Sequence, residues 1–362
     1  MVTTKPQLTW KTTLFSIVGL TGFFLYIYIF NVDVLAIIAT AQRAEPTLFI
    51  IAILISLAEV FFYAVSWHTL LNALKVKLSV LKANLFVWYG IFVDIIVPAE
   101  SVSGELCRVY LVTREQNGSG GRAAASVVLQ RLMGMGINVV VLLMGIMLFL
   151  GEGQISSVIF NIIAFFTVTI AVLLLLFITL AFKQNLSLKV INTMLRIGEF
   201  ITRGKLKLFN KLKEETQKSA KAFHDSMQEY RHKPREIVVS LFWLIINWTC
   251  SLSIPYVVFL SLKFQVSWST ILITAAIVVA VKSVPIGIPF EVGLPEITMT
   301  TLYVGLGIPA EISATTTLLT RFITLWLRFA IGFIAQQCIE LKPVIIPNTT
   351  KTTTKNESQT SL

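Results

Sequence analysis

The chain has 362 residues, of which 55% are hydrophobic and 14% charged, with a mean hydropathy of +0.79 and a net charge of +11. That balance is too apolar for an ordinary soluble domain of this length. Cys107, Cys250 and Cys338 are scattered, and His68, His224 and His232 form no ligand pair, so no disulfide framework, metal site or cofactor is expected.

In chain order, apolar runs at about 12–30, 47–71, 123–150, 157–182, 237–262 and 311–338 are long enough to cross a membrane, which takes about 20 residues. The first run, Leu14 to Phe30, exceeds a signal-peptide core and has no small-residue cleavage site, so it reads as a retained span. Two further regions are apolar but interrupted. Region 84–112 contains Asp94, Pro98, Glu100, Gly104, Glu105 and Arg108. Region 269–308 contains Lys282, Pro285, Gly287, Pro289, Glu291, Gly293, Pro295 and Glu296. Proline breaks a helix, and the freed backbone groups survive at membrane depth only inside protein or beside a wet cavity. The fold expected is an all-α polytopic membrane protein with about eight membrane helices, two of them broken or re-entrant.

The interrupted regions look like copies of each other. Pro98 and Pro289 each stand seven positions before a glutamate, Glu105 and Glu296. Downstream, Ala124-Ala-Ser126-Val-Val-Leu129-Gln-Arg131 matches Ala314-Thr-Thr316-Thr-Leu-Leu319-Thr-Arg321. Repeat 1 is placed at about 47–150 and repeat 2 at about 237–340, in a single domain over 1–340. Between them, segment 183–236 carries thirteen Lys or Arg against six acidic residues, which places it in the cytoplasm. Lys75, Lys77 and Lys82, and Lys5 and Lys11 at the start, put their loops on the same side. Repeat 1 therefore enters its broken region from inside and repeat 2 from outside, an inverted arrangement typical of carriers. The stripe Leu188, Ile191, Leu195, Ile201, Leu206, Phe209 and Leu212 suits helices on an anionic leaflet, and equally a solvated loop that only fixes topology. The tail 341–362 reads as disordered. Nucleic acid is not an expected partner, because no recognition motif accompanies the charge.

Ionised residues at bilayer depth normally pair or face a cavity. The candidate head-group pocket is Glu105, Arg108, Arg131, Glu296, Arg321 and Arg328, with helix breaks at Pro98, Gly104, Pro289 and Gly293. Arginine matches phosphate oxygens bidentately, and half-helix N-termini at the breaks would add N–H donors. The other reading of these residues is a structural Glu–Arg ion pair in each repeat. The small-residue faces Ala123–Ser126 and Ala314–Thr317 permit close packing within one chain or in a homo-oligomer.

With these residues in view, the chain resembles the flippase-like integral membrane family, the transmembrane region of lysylphosphatidylglycerol synthases. The resemblance covers about 10–340 and rests on Pro98, Gly104-Glu105, Arg108 and Gln130-Arg131, then Pro289, Gly293, Glu296, Gly305, Gly307 and Arg321. Phe290 and Glu291 replace glycines of the second motif, and Pro295 precedes Glu296. The resemblance implies a plasma-membrane carrier of an anionic phospholipid, an aminoacylated lipid or a polyprenyl-phosphate glycolipid, working by alternating access. The family's synthases join this region to a soluble aminoacyl-transferase domain. The polar tail after Glu340 is too short for one, so lysyl transfer by this chain is not expected. The alternative is a non-catalytic scaffold for a separate glycosyltransferase or lipid-modifying enzyme. A membrane-embedded enzyme ranks last, since no catalytic motif accompanies the carboxylates.

Overall fold

The computed structural model describes residues 44–97, 102–151, 220–282 and 293–340, with residue 42 and scattered helical residues between 161 and 179. The expected first span, the breaks at Pro98 and Pro289, the stripe 188–212 and the tail 341–362 lie outside the described residues. Eight helices carry the argument. They are α1 (Pro46–Ala73), α2 (Val80–Ile96), α3 (Val102–Glu115), α4 (Gly120–Gly151), α5 (Pro234–Ser261), α6 (Trp268–Lys282), α7 (Leu294–Gly305) and α8 (Ala310–Glu340). Among the described residues there is no strand. Helices α1, α4, α5 and α8 each contain a stretch long and apolar enough to cross a membrane. Their outer faces expose Leu54, Leu143, Met147, Phe242, Trp326 and Ile334, an apolar belt suited to lipid.

The two halves are built alike. Helices α1 and α5 both open with proline, whose missing N–H costs nothing at a helix start. Both end in the same turn, with Lys75 at φ 60° and Lys263 at φ 58°. A serine then begins the next helix in each half: Ser79 Oγ accepts from Lys82 N, and Ser267 Oγ from Thr270 N.

The halves are also inverted. Along the α1–α5 contact, Glu45 N donates to Ser261 O, Asn247 Nδ2 to Glu59 O at 2.9 Å, and Ser66 Oγ meets Ser240 Oγ at 2.9 Å. Sequence numbers rise on one helix as they fall on the other, so α1 and α5 are antiparallel.

Each half contains a helical hairpin that enters and leaves at one end. Lys82 at the start of α2 pairs with Glu115 at the end of α3, 2.8 Å apart. In the other half, Trp268 at the start of α6 stacks on Tyr256, and Tyr303 near the end of α7 meets Phe259. Both aromatic contacts lie at the C-terminal end of α5. At 1.5 Å per residue α3 rises about 21 Å and α7 about 18 Å, against a hydrocarbon core of about 30 Å. Both helices are thus shorter than the core, and the two hairpins open at opposite ends of the antiparallel α1–α5 pair.

Each hairpin is held by the other half's long helix. Helix α2 packs on the last part of α8 through Phe92, Phe329 and Phe333. A Cβ on Gly332 would lie 2.7 Å from Trp88 O, so only glycine permits this approach. Helix α6 packs on α4, where Leu142 meets the Leu272–Ile273 cluster and Asn138 Nδ2 donates to Ala276 O.

One part of the basic segment is described. Residues 220–231 are helical and dock on the last turn of α1 rather than forming a free loop. Tyr230 Oη donates to Leu70 O at 2.9 Å, and Lys233 Nζ donates to Ala73 O and to Glu229 Oε1. Burial pushes the Tyr230 phenol far above its ordinary pKa, while the Lys233 hydrogen bond holds Glu229 below the usual carboxylate range.

Candidate functional site

The glutamates and arginines of the repeated motif meet within their own halves. Arg131 Nη1 on α4 lies 3.0 Å from Glu105 Oε1 on α3. Arg321 Nε on α8 lies 2.6 Å from Glu296 Oε1 on α7. The sequence separations differ by only one residue, but the environments differ. The second pair is sealed, with side chains 7% and 3% exposed, whereas Arg131 and Glu105 are 25% and 17% exposed. Glu296 is further fixed because its Oε2 accepts from Gly293 N at 2.7 Å, with Gly293 in a positive-φ turn. Thr300 and Thr317, one turn from that pair on the same two helices, add a hydroxyl bond of 3.1 Å.

Arg328 takes a different partner. Its guanidinium pairs with Glu59 of α1 and donates to Ser56 Oγ at 3.1 and 3.2 Å. The cause is local. Seven residues of α-helix turn about 700° and would return Arg328 nearly to the face of Arg321. Residues Phe322–Leu327 form a π-helical turn instead, which advances the face by about one residue. Arg321 thus faces α7 while Arg328 faces α1.

Arg108 is the third kind of site. It is 4% exposed, yet its partners among the described residues are neutral: Gln130 Oε1 at 3.1 Å, Tyr63 Oη at 3.2 Å, and the Tyr63 and Trp67 rings at 5.2 and 5.0 Å. Gln130 is anchored in turn by donating Nε2 to Tyr63 O, and Trp67 by donating Nε1 to Ser126 Oγ.

The helix N-terminus at the first break is not open to a ligand in the way the sequence suggests. Asp94 Oδ1 accepts from Gly104 N and Ser103 Oγ, both at 2.6 Å, so a carboxylate already caps α3. Gly104 is required for this closure, because a Cβ there would collide with Asp94 and with Gly90 O. At the second break Glu296 plays that part. The six candidate charges fall into four contact groups: Glu105 with Arg131; Arg108 with Gln130, Tyr63 and Trp67; Glu296 with Arg321; and Arg328, which joins Glu59. Sequence reading missed Tyr63, Trp67 and Ser56 as partners, since each reaches its arginine from a distant helix. Among the described residues no group of His, Cys, Asp and Glu is arranged to hold a metal.

Residues 14–332 match the family described as the lysylphosphatidylglycerol synthase TM region. The chain belongs to that family. It is similar to the UPF0104 membrane protein PH1989 of Pyrococcus horikoshii, at 26% identity over 80% of this chain and 87% of the relative. It is also similar to the UPF0104 membrane protein MJ1595 of Methanocaldococcus jannaschii, at 24% identity over 84% of this chain and 88% of that protein. All of the site residues above fall inside the matched region.

Proposed function

We propose that the protein is a carrier that moves a lipid, or a lipid-linked phosphate head group, across the bilayer by alternating access. The observation that carries this reading is the pair of inverted hairpins, each with a Glu–Arg pair whose glutamate lies in the first turn of the hairpin's second helix. Two similar folds in opposite orientation supply two states of similar energy, open to opposite faces. Charged groups within apolar helices are costly in a membrane, and their placement between helices of each half suits a head-group path rather than a lipid-facing surface. The substrate class is an anionic phospholipid, an aminoacylated lipid or a polyprenyl-phosphate glycolipid. The chain is read as a carrier rather than an enzyme because each site carboxylate is engaged by a cation or a helix end. We place the basic end, with Lys75, Lys77, Lys82 and helix 220–231, in the cytoplasm of a plasma-membrane protein.

The test is translocation of fluorescent phosphatidylglycerol, a lysylated lipid and a polyprenyl-phosphate sugar in proteoliposomes. Wild type should move one of them, and well-inserted Arg131→Ala and Arg321→Ala should not. No movement of any by wild type, together with capture of a transferase through segment 183–236, would replace the carrier by a scaffold.

A further inference from the structure

The halves differ at the position three residues after the motif glutamate. Arg108 stands three residues after Glu105, whereas Met299 stands three after Glu296. The acids on the elements around Arg108 are all committed. Glu105 on its own helix holds Arg131, Asp94 of α2 caps α3, and Glu59 of α1 holds Arg328. Among the described residues no carboxylate lies within ion-pair distance of Arg108. A buried cation with only neutral partners is costly in a membrane, and the missing charge is that of an anion. The site also has a door. Glu105 lies one turn before Arg108 on α3, and Gln130 and Arg131 are neighbours on α4, so the partly exposed Arg131–Glu105 pair adjoins the buried guanidinium.

We infer that Arg108 anchors a binding site for the phosphate diester of a phospholipid whose net charge is minus one, and that Glu105 is an internal competitor displaced from Arg131 when this ligand binds. This deepens the carrier reading and rests on it for the lipid source. Two arginines and one glutamate leave a single positive charge, which suits a diester better than a doubly charged phosphate. The Nε–H of Arg108 makes no hydrogen bond among the described residues, and the ligand adds an acceptor there without breaking the Gln130 and Tyr63 contacts. Repeat 2, with Met299 in place of the arginine and Glu296 fixed by Gly293, has no matching site.

The test is calorimetry on the full-length protein in detergent, with dihexanoyl phosphatidylglycerol, dihexanoyl phosphatidylcholine and glycerophosphoglycerol as probes. Wild type should bind the phosphatidylglycerol at least about tenfold tighter than either of the others, because phosphatidylcholine brings its own cation to the phosphate and glycerophosphoglycerol has no acyl chains to bury. Arg108→Gln should lose about tenfold or more, Arg108→Lys should recover part of it, and Glu105→Gln should tighten binding by about threefold or more. A purely structural cluster would weaken in both the Arg108 and the Glu105 variants, and that result overturns the inference. Equal binding of the two lipids by wild type overturns it without any variant, should Arg108→Gln fail to fold. Equal binding of glycerophosphoglycerol removes the lipid source. Arg108-dependent binding without translocation in vesicles would sink the carrier reading and leave this site standing; unimpaired translocation and affinity in Arg108→Gln would do the reverse.

Discussion

Neutralising either member of the sealed Glu296–Arg321 pair should destabilise the protein far more than the same change at Glu105–Arg131. Removing one partner of a buried pair strands the other charge, at a cost of about 3–5 kcal/mol. With side chains 7% and 3% exposed, the 296–321 pair has little access to relief by water. At 25% and 17% exposure, the 105–131 pair is partly solvated, and about 1–2 kcal/mol is expected, between the surface and buried limits. Glu296→Gln keeps an acceptor for Gly293 N, so its loss reports mainly the charge. A double-mutant cycle of Glu296→Gln with Arg321→Gln, read by reversible unfolding in bicelles, should give a coupling of about 3 kcal/mol. The cycle at 105–131 should give about half of that or less. A coupling below about 1 kcal/mol at 296–321, or equal couplings in the two halves, would refute the assignment of one pair as sealed and the other as exchangeable.

The remaining expectations can be checked on the same protein. Gly104→Ala should misfold or lose several kcal/mol, because the added carbon meets Asp94 and Gly90 O; recovery of normally stable protein in a thermal melt would contradict the cap. Arg114→Ala should cost under about 1 kcal/mol, since its pair with Glu340 at 3.0 Å is 39% and 40% exposed, and raised salt should erase the difference. Tyr230 has a folded pKa above its ordinary value of 10.0, so its contribution is present below that pH and fades as pH rises. Proteolysis of helix 220–231 should therefore increase above about pH 10 in wild type, and the increase should be smaller in Tyr230→Phe. Deleting one residue from Phe322–Leu327 should restore α-helical phase and separate Arg328 from Glu59, seen as a stability loss that Glu59→Gln no longer adds to.

The interrupted repeats were legible because proline, glutamate and arginine at membrane depth are rare and their spacing recurs. The same comparison contains a second signal in Leu74-Lys75 to Ser79 and Leu262-Lys263 to Ser267, which mark the turn after α1 and α5. Partner choice was not legible. Glu59 and Arg328 belong to opposite halves, and their meeting depends on the antiparallel α1–α5 contact and on a π turn whose residues, Phe322–Leu327, carry no distinctive sequence. Asp94 reads only as an ionised residue in an interrupted apolar region, yet it serves the backbone of α3, whose first N–H groups lack partners within the helix. The neutrality around Arg108 is equally invisible, since Tyr63 and Gln130 approach from α1 and α4.

The most direct test of alternating access is translocation by a protein locked in the described state. Arg114 and Glu340 join the hairpin of one half to the long helix of the other. In a variant with Cys107, Cys250 and Cys338 replaced by serine, Arg114→Cys and Glu340→Cys can be joined by a reducible bis-thiol reagent. Lipid movement should proceed before linkage, stop when linkage is complete, and return on reduction. Movement at an unchanged rate in the fully linked protein would contradict alternating access.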